Sequence, residues 1–159
     1  SPPQRSCDVG VVFALGIEAG GFEDRLSGVL AIEGTPFKIK FGGLLGRHVV
    51  VILSGAGQDA AARATDALIA GHHPRLVISA GFSGALQVGM KVGDIVVADS
   101  VVDLAGTELA IDLKMASDPA KGLHVGRLLT VERIVRTVDE KKALGEQFGA
   151  LLEPFVDVG

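Results

Sequence analysis

Residues 76–99, LVISAGFSGALQVGMKVGDIVVAD, alternate short apolar runs with closely spaced glycines, and this leaves the chain few ways to fold. Two runs with the character of buried strands, one starting at Leu76 and one at Ile95, flank a glycine-rich turn at Gly81 and Gly84. A second tight turn at Gly89 and Gly93 leads to Asp94 and Asp99. Apolar runs of about four to eight residues suit strands covered on both faces. They fall far short of the ~20 residues that cross a bilayer.

The rest of the chain repeats this grammar. Residues 9–15 (VGVVFAL) are β-branched and almost wholly apolar, as in a central strand. After Gly16, Phe22 and Leu26 lie four apart and can share one helical face, while Gly20 and Gly21 weaken the helix start. Residues 29–32, 37–41 and 48–53 read as three strands whose short turns imply an antiparallel meander. Residues 58–70 (QDAAARATDALIA) form a strong helix, stopped by Gly71, His72, His73 and Pro74. Strands at 76–78 and 95–98 come next. A strand, a helix and a strand in that order imply a parallel, right-handed crossover. Residues 103–124 read as a long loop and residues 128–131 as a short strand. Thr137 and Glu140 make a capping-box pattern before EKKALGEQFG, where Gly149 is the stop.

Composition narrows the function. With 159 residues, 48% of them apolar, the chain can bury a core as one domain spanning 1–159, with residues 1–8 a flexible N-terminus. The net charge of −4, with both signs interspersed, disfavours nucleic acid as a partner. A lone Cys7 makes no internal disulfide and no zinc spacing occurs, so neither metal nor cofactor is expected. The opening SPPQRSCD has no signal-peptide core. These features point to a cytoplasmic protein without membrane attachment.

Two glycine-rich turns are the chemical candidates. Ser54-Gly55-Ala56-Gly57 lies between a strand and a helix, where backbone N–H groups and the helix dipole favour an anion, a ribose hydroxyl or a polarised water. Gly55-x-Gly57-x-x-Ala60 also fits a dinucleotide fingerprint, but the next strand ends in Ser79-Ala80-Gly81 rather than in the required acid. A tight strand-to-helix turn alone accounts for the same glycines. Gly81-Phe82-Ser83-Gly84 is the second turn. Both come after the carboxyl ends of strands, and so meet on the rim where open α/β sheets bind ligands.

Residues 49–64 (VVVILSGAGQDAAARA) and 76–99 together resemble the nucleoside phosphorylase and nucleosidase superfamily, nearest its methylthioadenosine/S-adenosylhomocysteine nucleosidase branch. The resemblance runs from about residue 9 to 149 and is strongest over 48–99. It implies a three-layer α/β/α fold with a mixed central sheet, acting on the N-glycosidic bond of a small-molecule purine nucleoside. In VGVVFALGIEAG it puts Glu18 where the family keeps its water-activating glutamate. A plain helix-start acid is the alternative for that residue. It assigns the ribose and nucleophile pocket to Gly55, Ala56, Gly57, Ser83 and Gly84, with Phe82 where nucleosidases have a small hydroxyl residue. Ile134 and Val135 fall at the purine contact. Residues 77–81 carry no arginine and Arg75 comes too early, so water is preferred to phosphate as nucleophile. His72 and His73 read as helix C-terminal residues, His124 as a residue able to touch ligand, and Asp99 and Asp103 as solvated.

Beyond GEQFGA the family continues with a Met-Glu pair on the ribose and an aspartate on the purine. This chain has LLEPFVDVG, with Val158 and Gly159 at the Met-Glu positions, so the fold expected is C-terminally incomplete. The resemblance implies a homodimer or larger homo-oligomer. A phosphorylase and a non-catalytic nucleoside-binding module stay open as alternatives.

Overall fold

A computed structural model describes residues 7–131 and 137–154. The chain forms two compact units, residues 1–81 and 82–159.

In the first unit β1 (Val9–Phe13), α1 (Gly16–Glu23), β2 (Ser27–Ile32), β3 (Lys38–Leu44), β4 (Arg47–Leu53), α2 (Gln58–His72) and β5 (Leu76–Ala80) succeed one another. The sheet order is β2-β3-β4-β1-β5. β4 and β5 both run parallel to β1, while β2, β3 and β4 form the antiparallel meander read from the sequence. Alternation in β1 and β4 divides the core. Val12, Val50 and Ile52 pack with Ala64 and Leu68 of α2 on one face. Val11, Phe13, Val49 and Val51 pack with Ala19 and Leu26 on the other. These strands therefore carry no polar residue between their apolar ones, as a sheet covered on both faces demands.

Two local features depart from the sequence reading. α2 runs past Gly71 to His72, and His73 at φ 47° in the left-handed region is the cap, its N–H reaching the Ile69 carbonyl at 3.1 Å. Pro74, unable to continue a helix, sets this end more firmly than Gly71 does. The start of the chain is also tied down from Cys7 onward. Cys7 N–H donates to the His72 carbonyl, and the buried Cys7 thiol is pushed up in pKa by that burial.

In the second unit β6 (Ser83–Ala85), β7 (Ile95–Asp103), β8 (Glu108–Ala110), β9 (Leu123–Thr130), α3 (Val138–Phe148) and β10 (Leu152–Pro154) form a sheet of order β6-β10-β9-β7-β8 with α3 upon it. Leu86, Val102, Leu129 and Ala150 make its core, with Leu144 and Phe148 of α3 packed against them. Thr137 Oγ1 accepts the Glu140 N–H at 3.1 Å and Gly149 closes the helix at φ 62°, as the capping pattern implied. The expected loop over 103–124 contains β8, a 3-10 turn at Pro119–Lys121 and the start of β9. Its strand residues pair with β7 although they lack a regular apolar pattern. The fold thus has the mixed α/β character expected, its strands hydrogen-bonded into two mixed sheets.

Two carboxylates report on acid stability. Asp8 accepts the His48 N–H at 2.8 Å, and that bond, helped by Arg47, holds its carboxyl below the usual 3.8. Asp94 is likewise lowered, first by the Lys91 N–H at 3.0 Å and then by His124 Nε2 at 2.9 Å. Each lowered carboxyl adds stability that is present above its unfolded value and is lost as pH falls through the folded one. Thermal unfolding midpoints of the wild type should drop more steeply below about pH 4 than those of the Asp8→Asn and Asp94→Asn variants. Parallel curves for all three proteins would contradict the assignment.

Candidate active site

Three chain segments leave the carboxyl ends of adjacent strands in the first unit. Phe13 of β1 is in register with Leu53 of β4 and with Ala80 of β5, so all three strands end at one level. The segments that continue from them share that rim. After β1 comes α1 with Glu18, after β4 comes Ser54-Gly55-Ala56-Gly57, and after β5 comes Gly81.

The loop after β4 is fastened to the end of β1. Ser54 N–H donates to the Phe13 carbonyl at 2.8 Å and Gly55 N–H to the Ala14 carbonyl at 2.9 Å. Ser54 Oγ donates to the Gly55 carbonyl at 2.7 Å. Gly55 at φ 83° and Gly57 at φ 99° need glycine for backbone reasons alone. Gly57 is the N-cap of α2 and makes no side-chain cap, so the first-turn N–H groups of a 15-residue helix open at this rim beside the exposed Ala56.

Glu18 is half-buried, at the third position of α1. Its Oε2 accepts the Leu15 N–H at 3.0 Å, while its own N–H donates to the Leu15 carbonyl at 3.1 Å. The helix-start role is therefore real. The same carboxylate also reaches the residue after β5: a Cβ placed on Gly81 would lie 3.0 Å from Glu18 Oε1. The sequence puts both residues just after strands but hides their approach, because β1 and β5 are neighbours only once the crossover has folded. An acid after one parallel strand and a bare glycine after another is the one signal of it that the sequence carries.

The other candidates belong to the second unit or lie outside the described residues. Phe82, more than half exposed, Ser83 and Gly84 belong to the second unit, where Ser83–Ala85 is strand β6 and pairs with β10 rather than forming an open turn. Gly84 is buried and Ser83 exposed. Ile134 and Val135 lie outside the described residues. His124 pairs with Asp94 where β7 and β9 begin, away from their carboxyl ends. Asp99 sits at a bulge in β7, and Asp103 Oδ1 accepts the Thr107 N–H at 2.9 Å in a turn. Among the described residues no cluster of three His, Cys, Asp or Glu side chains could hold a metal ion, and no helix is long and apolar enough to cross a membrane.

A family model described as the phosphorylase superfamily matches residues 8–122. A 5'-methylthioadenosine/S-adenosylhomocysteine nucleosidase from Staphylococcus haemolyticus is 28% identical over 144 residues, covering 91% of this chain and 63% of the relative. One from Haemophilus influenzae is 42% identical over 77 residues, 48% of this chain and 30% of its own length. The chain thus spans less than two thirds of the length of these relatives. Among solved structures, the Streptococcus pneumoniae nucleosidase with a transition-state inhibitor superposes with a TM-score of 0.77 at 19% identity, over 92% of this chain and 74% of that one. The Neisseria meningitidis nucleosidase with methylthio-immucillin-A gives 0.76 at 23% identity over the same shares. At these identities the structural likeness establishes the fold.

Proposed function

Since the chain belongs to the phosphorylase superfamily, we propose that it hydrolyses the N-glycosidic bond of a purine nucleoside such as methylthioadenosine or S-adenosylhomocysteine. The observation that carries this reading is the placement of the Glu18 carboxylate against Gly81, on the rim that also bears the Gly55-Ala56-Gly57 turn. Cleaving such a bond develops positive charge on the sugar, which a carboxylate at that rim stabilises. Glu18 takes a proton from water, and the oxygen's freed electron pair forms a bond to C1′. The C1′–N bond breaks with its pair passing to the base, which leaves after taking a proton from solvent, and Glu18 then gives its proton back to solvent. The α2 N-terminus and the Gly55-Ala56-Gly57 backbone hold the ribose hydroxyls. The assignment of Ser83, Gly84 and Phe82 to the nucleophile pocket and of Ile134 and Val135 to the base rests on the family resemblance alone.

Water rather than phosphate fits β5. Residues 76–81 bring no cation to the rim, and Arg75 precedes the strand, six residues or about 20 Å of extended chain from Gly81. A phosphate there would lack the bidentate partner that makes such sites strong. Phosphorolysis is the second reading within the family. A non-catalytic nucleoside-binding module is the third reading. The proposal extends to a single domain in a cytoplasmic homo-oligomer, a state in keeping with the apolar Leu45, Leu76 and Ile78 that the first unit leaves exposed.

Incubation with methylthioadenosine in phosphate-free buffer should release free adenine, and added phosphate should leave the rate unchanged. Release only with phosphate would establish the phosphorylase. Nucleoside binding without release would establish the binding module.

A further inference from the structure

We propose that the first unit holds a second ligand site, an apolar groove on the α1 face of its sheet that takes a medium-length alkyl chain whose terminal carboxylate meets Arg47.

The groove has a volume of about 280 Å³ and is walled by Val11, Val49 and Ile78 of the strands and by Phe22 of α1. It follows β1 from Phe13 to Val9, a run of about 13 Å along the strand. Phe22 stands over the Phe13 end, the ring centroids 5.8 Å apart. Of the described residues that line the groove, Arg47 alone is charged. Arg47 and Val49 are two apart on β4 and so share this face, and the pairing of Val9 with Val49 puts Arg47 just past the amino end of β1. The guanidinium makes no hydrogen bond or ion pair among the described residues. Its charge acts on Asp8 at longer range, as does that of Arg75, while Asp8 Oδ2 is taken by the His48 N–H. Two cations against one carboxylate leave this end of the groove positive. A guanidinium fork there matches a carboxylate in both charge and shape.

Leu45 is an independent observation. Leu45 at φ 50° and Gly46 at φ 75° are the central pair of the β3–β4 hairpin, a turn that favours Asn-Gly. A leucine in the left-handed region is strained, and at 94% exposure this one gains no burial in return. It lines the groove together with Arg47. Strain of this kind gathers at ligand clamps, and an alkyl chain in the groove supplies the apolar contact that Leu45 otherwise lacks. A space at the lower limit of small-ligand sites suits a single chain rather than a helix, which is about 10–12 Å across. Leu76 does not line the groove, so contact between copies of the protein through that residue is compatible with an occupied site.

Titration calorimetry with octanoate and with octanol, an uncharged chain of equal length, tests the site. Octanoate should bind once per chain and about five- to tenfold more tightly than octanol, the effect of one charge-assisted contact. Arg47→Gln should erase that preference and leave octanol affinity within about twofold of wild type. Leu45→Asn should weaken both ligands about three- to tenfold through lost apolar contact, yet raise the thermal midpoint, because asparagine tolerates the turn that strains leucine. A purely structural Leu45 would not move these two readouts in opposite directions. Equal affinities for octanoate and octanol, a preference that survives Arg47→Gln, undiminished binding in Leu45→Asn or no saturable binding at all would overturn the proposal. Octanoate affinity that falls as protein concentration rises would overturn it as well, by giving the groove to a second copy of the chain. None of these readouts uses adenine release, so failure of the site and failure of the hydrolase reading are told apart.

Discussion

Glu18→Gln should lower adenine release by about a hundred- to ten-thousandfold, the range a positioned general base supplies, while leaving nucleoside binding within a few-fold of wild type. The amide keeps an oxygen for the Leu15 N–H, so the first turn of α1 is retained. It cannot take a proton from water, so the chemical step alone suffers. The pairing of kcat with an isothermal binding measurement distinguishes this outcome from collapse of the site, in which both would fail. Were Glu18 only a helix-start residue, the same change would cost a few tenths of a kcal/mol of stability through the lost dipole interaction and leave turnover alone.

The second large effect is on stability. Leu68 of α2 is fully buried and stands directly over β1, so close that a Cβ on Gly10 would be 2.6 Å from Leu68 Cδ2. Gly10 is what lets the helix approach the strand. Leu68→Ala is expected to destabilise the first unit by about 2–5 kcal/mol through lost burial and the cavity left behind. Gly10→Ala should cost about 1–3 kcal/mol by overpacking against the same side chain. Because the methyl added at residue 10 occupies part of the space vacated at 68, the double variant should be more stable than the sum of the single effects implies. Urea unfolding of the four proteins checks this, and strict additivity would show that the two residues do not share the space the structure assigns them.

Much of the fold was legible because its strands carry their burial in their composition. β1 read as a central strand from its β-branched, almost wholly apolar run and β4 as a strand of the meander, and their neighbours on the two faces are set by alternation. α2 and α3 were legible from alanine content and a Thr cap. Residues 103–124 were not, because β8 is a short edge strand of three exposed residues whose pairing with β7 is settled by main-chain hydrogen bonds rather than by a hydrophobic pattern. β6 was hidden for a similar reason, since Ser83-Gly84-Ala85 has turn chemistry and becomes a strand only by pairing with β10. In the candidate site, Gly55 and Gly57 announced a turn, and their positive φ supplies its cause. The approach of Glu18 to Gly81 could not be read locally. It depends on the β1–β5 register, a property of two segments more than 60 residues apart.

The most direct test is a crystal structure of the protein with a non-hydrolysable methylthioadenosine analogue. The ribose is expected at the rim where β4, β1 and β5 end, with the Glu18 carboxylate in hydrogen-bond reach of a water, about 2.6–3.2 Å away, placed to attack C1′. A nucleoside bound elsewhere, with neither ligand nor water in reach of the Glu18 carboxylate, would contradict the assignment of Glu18 as the base.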